Sequence, residues 1–160
     1  MKKLGAASLA GLAVLVIAAT ALATTGSGIT SVNISLGRFG DIDVKTETET
    51  HEVELRTKGS SDVHVVSNKI APGGHTGWHS HPGPSLITVK SGTVTNYSSD
   101  DPTCTPQVYT AGTGFIDPGG DHAHILRNEG SVEAETIAVQ ILPAGAPRRI
   151  DAPKPGNCGF

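Results

Sequence analysis

The 160-residue sequence holds only two cysteines, Cys104 and Cys158, and they form no CxxC pair. That spacing argues against a cysteine-built zinc site. Neither lies near the N-terminal apolar run, so no lipidation cysteine is available there. Basic residues are outnumbered, with 12 Lys and Arg against 15 Asp and Glu. The resulting net charge of −3 gives no electrostatic reason to bind nucleic acid or an anionic membrane. No window beyond the N-terminal run carries the 3.6-residue apolar period of an amphipathic helix. No second apolar stretch is long enough to span a bilayer. Solenoid-length repeats, a phosphate-cradling loop and a nucleophile elbow are also missing.

What is present begins with a leader. Met1-Lys2-Lys3 is positive, residues 4–19 are almost wholly Leu, Ala, Val, Ile and Gly, and Ala21-Leu22-Ala23 places small residues where a signal peptidase reads them. This predicts a signal peptide over 1–23, cleavage after Ala23, and a secreted protein with no membrane association once cut. Thiols in an oxidising compartment pair, so a Cys104–Cys158 disulfide is expected. It would constrain the unfolded chain by roughly 3–4 kcal/mol in the entropic account.

Downstream, the dominant apolar period is two. Ile42 and Val44, Val53 and Leu55, and Val63 and Val65 alternate with polar residues. Leu86–Val89, Val94–Tyr97, Gln107–Thr110 and Thr136–Leu142 are β-branched-rich runs, separated by Gly, Pro and Ser breakers. Many short strands at close spacing predict an all-β sandwich or barrel. The expected organisation is a linker or loose first strand at 24–40, one β-domain at 41–145, and a Pro-rich arm at 146–160 lying over its surface.

The chain has seven histidines, and four of them form two His-x-His pairs, His79/His81 and His122/His124. Residues two apart in a strand share a face, so each pair would present two imidazoles side by side. Two such strands facing each other would gather three or four nitrogens at one point, a set that suits Zn, Cu, Fe or Ni. His75 has the same parity and is a further candidate. His51 and His64 read as ordinary structural histidines. Trp78 alternates with His79 and should point to the strand's other face. Asp117 and Asp121 flank a Pro-Gly-Gly turn, where turn capping is the simpler role and orienting an imidazole the alternative.

Gly73, five residues, His79-Ser80-His81, then Gly92 resembles the first motif of the cupin family. Gly112, five residues, Pro118-x-Gly120, then His124 and Asn128 resembles the second, with one extra residue before the histidine. Trp78-His79-Ser80-His81-Pro82-Gly83 looks like the variant found in small bacterial, type-2, quercetinase-like cupins. The resemblance covers roughly residues 60–145. It implies a single-domain cupin jelly-roll β-barrel with one divalent metal ion (Fe, Mn, Ni, Cu or Zn) on His79, His81 and His124, with His122 and His75 as further candidates. The family's glutamate ligand falls on Ser85, a poor ligand for a borderline-soft ion. The implied function is metal binding, either in a dioxygenase, decarboxylase or isomerase acting on a small organic substrate or in a non-catalytic binding protein. A small-molecule ligand and a homodimer are the partners implied.

Overall fold

The computed structural model describes residues 23–160. The expected signal peptide at 1–23 falls outside them, Ala23 excepted. Among the described residues every regular element is a strand, so the chain is all-β. The strands are β1 (Ser27–Phe39), β2 (Asp43–Glu47), β3 (Glu52–Arg56), β4 (Ser61–His75), β5 (His79–Ser80), β6 (Ser85–Ser91), β7 (Thr93–Ser98), β8 (Gln107–Thr110), β9 (Gly114–Asp117), β10 (His124–Arg127), β11 (Ala134–Pro143) and β12 (Ile150–Asp151). No described helix is long and apolar enough to cross a membrane.

Ten strands form one antiparallel sheet, in the order β12-β5-β10-β4-β11-β6-β9, with β1 added on β4 and β7 joining β10 to β8. The sheet curls into a jelly-roll barrel. The two-residue period read from the sequence is the period of burial. Along β11, Ala134, Thr136, Ala138, Gln140 and Leu142 are buried, and the residues between them are partly exposed. Ile70, Val89, Val94, Leu126 and Ala134 form one end of the core, and Val66, Ile87 and Ala138 form a smaller cluster. Each large aliphatic buried this way contributes about 1.5–3 kcal/mol relative to exposure.

The segment expected at 24–40 as a linker or a loose first strand is a strand of the sheet, which begins before 41. β1 pairs with β4 from Ser27↔His75 to Phe39↔Ser61, because Ile29 and its neighbours find an unpaired edge there. The segment that does follow 41 stands apart as a β2–β3 hairpin in its own two-stranded sheet. The Pro-rich arm lies against the barrel and is tied to it. β12 pairs with β5, and Cys104 is disulfide-bonded to Cys158. Trp78 lies under this arm, 1% exposed among Tyr97, Ile125 and Cys158.

Candidate metal centre

The site is assembled where β5, β10 and the arm meet. His124 of β10 stands opposite His79 of β5, and Asp151 of β12 pairs with His79 on the other side. Gly77 precedes β5 with φ of 70°, and a Cβ there would lie 2.6 Å from the Thr24 carbonyl oxygen. Only glycine accepts both the left-handed turn and the N-terminal segment crossing it. After β5, the Pro82-Gly83 turn packs on the Pro118-Gly119-Gly120 turn. The Gly120 N–H donates to the His81 carbonyl at 2.7 Å. A Cβ on Gly119 would lie 2.3 Å from the Gly83 oxygen. The two turns that carry the histidine segments are therefore locked to each other.

His79, His81 and His124 are 5%, 7% and 6% exposed, and each offers a ring nitrogen within 4.8 Å of the others. Their Nδ1 atoms face oxygen acceptors. His79 Nδ1 is 2.9 Å from the Gly77 carbonyl, His81 Nδ1 is 2.5 Å from the Arg148 carbonyl, and His124 Nδ1 is 2.9 Å from Asn96 Oδ1. The Asn96 amide nitrogen donates to Gln107, which fixes its oxygen toward His124. Each imidazole thus carries its proton on Nδ1 and presents an Nε2 lone pair, the arrangement in which second partners orient metal ligands. The Gln140 amide also lies 3.1 Å from His81 Nδ1, but the shorter carbonyl contact decides the tautomer.

Electrostatics favours neutral rings. Burial, and then the neighbouring His124, push His79 well below the usual imidazole range. Burial lowers His81 against the opposing pull of the Arg148 carbonyl and Asp117. Burial lowers His124 to about 4, although Asp117 opposes it. Neutral imidazole is the form that ligates a metal. His124 Nε2 has no hydrogen-bond partner and no solvent, and neither has Asp117 Oδ2 nearby. Orphaned buried polar atoms are costly, and the nitrogen donors fit a borderline divalent ion that would satisfy them.

The three rings line a cavity of about 160 Å³. Val66, Ile87, Leu126 and Ala138 form an apolar wall, Ser85 and Gln140 supply hydroxyl and amide groups, and Arg148 and Arg149 supply positive charge. Arg149 Nη2 is buried and unpartnered.

The other sequence candidates lie elsewhere. His122 is half exposed in the turn before β10 and pairs with Asp100. The shared-face argument needed a strand across 122–124, but β10 begins at His124. His75 ends β4, and its Nδ1 accepts the Gly77 N–H at 3.1 Å. Neither belongs to the three-histidine cluster. Ser85 is buried beside the cluster with its hydroxyl 3.4 Å from the Gln140 amide. Sequence reasoning gave Arg148, Arg149, Asn96 and Gln140 no part in the site.

A family model described as a cupin domain matches residues 68–140. A double-stranded β-helix domain protein from Klebsiella pneumoniae is similar at 23% identity and a TM-score of 0.49, over 72% of this chain and 86% of that one. A predicted oxalate decarboxylase from Thermotoga maritima is similar at 22% identity and 0.41, over 53% and 83%. A polyketide cyclase from Streptomyces resistomycificus is similar at 17% identity and 0.46, over 55% and 60%. No curated protein matches the chain. Residues 68–140, which run from β4 into β11, are thus a cupin domain.

Proposed function

We propose that this cupin domain holds one divalent ion, drawn from Fe, Mn, Ni, Cu and Zn, on His79, His81 and His124, and acts there on a small anionic organic molecule. One observation carries the reading: three imidazoles, each fixed through Nδ1, have ring nitrogens within 4.8 Å of one another beside a cavity lined also by Arg148 and by Arg149, whose Nε is held by Asp151. When bound, such an ion supplies Lewis-acid polarisation and, where it is redox-active, electron transfer. The chain's own residues do the rest. Arg149 would bind a carboxylate or similar anion and orient it toward the histidines. Val66, Ile87 and Ala138 would exclude water from its apolar part. The reaction class is that of a metal-dependent dioxygenase, decarboxylase or isomerase.

A non-catalytic binding role is the second reading. Ser85 supports it, because a hydroxyl at that position is no general base. Metal analysis of the purified protein, followed by turnover assays on small carboxylates and diketones with each metal restored, tests both. Tight carboxylate binding without turnover would favour the binder, and a protein that takes up no metal would reject both. Export from the cell is part of the proposal, supported by the leader-like N-terminus and the disulfide. Self-association is supported by Val32, Ile34 and Leu36, which are 54%, 58% and 51% exposed along β1. Light scattering of the purified protein would show a dimer or reject it.

A further inference from the structure

Resting on the three-histidine centre just proposed, we infer that Asp117 is its fourth protein ligand, supplying from β9 the carboxylate that Ser85 on β6 does not provide.

Ser85 and Asp117 are directly paired across β6 and β9. Directly opposed residues of an antiparallel pair place their side chains on one face, with Cβ atoms about 4.5–5.5 Å apart. Side chains at 117 and 85 therefore leave the same face of the sheet, on either side of His124, which lines both cavities. Ser85 is engaged elsewhere, with its hydroxyl beside the Gln140 amide.

The carboxylate stands beside two of the three histidines, His81 and His124, and would have to close on His79 as an ion bound, because it lies outside the cluster whose ligand atoms are all within 4.8 Å of one another. Asp117 is 4% exposed. Its Oδ1 accepts the Gly119 N–H at 3.2 Å, which fixes the group, and its Oδ2 has no partner. Oδ2 lies 3.6 Å from His81 Nε2 and 3.7 Å from His124 Nε2. Ligand atoms held at 2.0–2.1 Å in a tetrahedral set stand about 3.3 Å apart. The oxygen and the two nitrogens are already close to that spacing. A carboxylate serving only to cap its turn would use Oδ1 alone and could leave its second oxygen in water.

Charge gives a separate reason. The cavity beside the histidines is lined by two guanidinium-bearing residues and by no Asp or Glu. Asp151 pairs with the Arg149 Nε at 2.5 Å, but no carboxylate lines the cavity to offset the charge of a dipositive ion on neutral imidazoles. Asp117 supplies the anion. It lines the adjoining cavity with Asn96 and His122 and leaves the side facing Arg149 open for a ligand.

Cobalt(II) and zinc titrations of the full chain test the assignment. Asp117→Asn keeps the shape and the Gly119 hydrogen bond. It should weaken cobalt(II) binding at least tenfold and change the position and intensity of the visible cobalt bands. Asp117→Ala with Ser85→Glu returns a carboxylate to the opposed position and should recover most of the affinity. Thermal unfolding of the metal-free variants separates a folding defect from loss of a ligand. Unchanged cobalt affinity and bands in Asp117→Asn would overturn the assignment while leaving the three-histidine centre intact. Weaker binding with unchanged bands and no recovery in the double variant would also overturn it, by showing a structural role. A wild-type protein that binds neither metal would remove the centre itself, and this inference with it.

Discussion

His81 and Arg148 stand 67 positions apart, and the imidazole Nδ1 meets the main-chain carbonyl at 2.5 Å. The arm that carries Arg148 is held on the barrel by β12, by the Asn157 amide on the Ser98 and Ser99 carbonyls, and by the Cys104–Cys158 disulfide. Replacing Cys158 with Ser should lower stability by about 3–4 kcal/mol on the entropic account of a loop with sequence separation 54. It should also weaken metal binding, because His81 loses a firmly held acceptor. Denaturant unfolding and metal titration, with and without reductant, check this. Equal metal affinity in wild type and variant would show that the arm stays in place without the disulfide.

The histidines divide into two sets with opposite expected behaviour. His79→Ala combined with His81→Ala should abolish metal binding. His122→Ala should leave stoichiometry at the wild-type value, since that ring is on the surface with Asp100. His75→Ala should cost some stability through the lost bond to the Gly77 N–H, without changing stoichiometry. Metal content by elemental analysis after gel filtration distinguishes the sets. A loss in the His122 variant would place the centre in the adjoining cavity instead.

Asn96 is the acceptor that fixes the His124 ring. Partners of this kind typically matter by about 10–100-fold in metal affinity. Asn96→Ala should therefore bind metal more weakly by that factor while remaining folded. A competitive chelator titration measures it. An effect below twofold would mean that packing alone orients His124.

The metal-free protein should lose stability as pH falls from about 6.5 toward 4. Burial holds His79 well below, and His124 down to about 4. The unfolded chain carries ordinary imidazoles near 6.5. Across that window the unfolded state binds protons that the folded state does not, so stability is lost as pH falls. At lower pH Asp62 adds to the loss. Hydrogen bonds from Arg38 and from the Gly145 N–H hold its carboxyl below the usual carboxylate range. Its contribution is present above about 3.9 and disappears as pH falls through the folded value. Denaturation midpoints at pH 7.5, 6 and 5 provide the measurement. The His79→Ala, His81→Ala variant should show a shallower slope, and an equally steep slope would assign the proton uptake elsewhere.

The strands were legible because one barrel face is buried, so Ala134 to Leu142 announce themselves by alternation alone. His79, His81 and His124 were legible because two short local motifs contain them. Asp117 read as a turn residue, and it does cap its turn through Oδ1. Its second oxygen acquires meaning only from the Ser85↔Asp117 register, a pairing of distant segments that no local window contains. Arg148 and Arg149 fall in a Pro-rich stretch without periodicity, so nothing nearby marks them as cavity residues. His122 misled for the opposite reason. The spacing to His124 was right for a strand, but the Pro118-Gly119-Gly120 turn delays β10 until His124.

The acceptors that set the three imidazole tautomers come from Gly77, Asn96 and Arg148, which lie before, between and after the histidine segments themselves. A peptide containing only the two motifs would have the right nitrogens but freely spinning rings. In the proposed centre, ion capture is therefore a property of tertiary assembly. Any variant that loosens the far end of the polypeptide should be felt at the centre as misaimed lone pairs, long before the barrel itself comes apart.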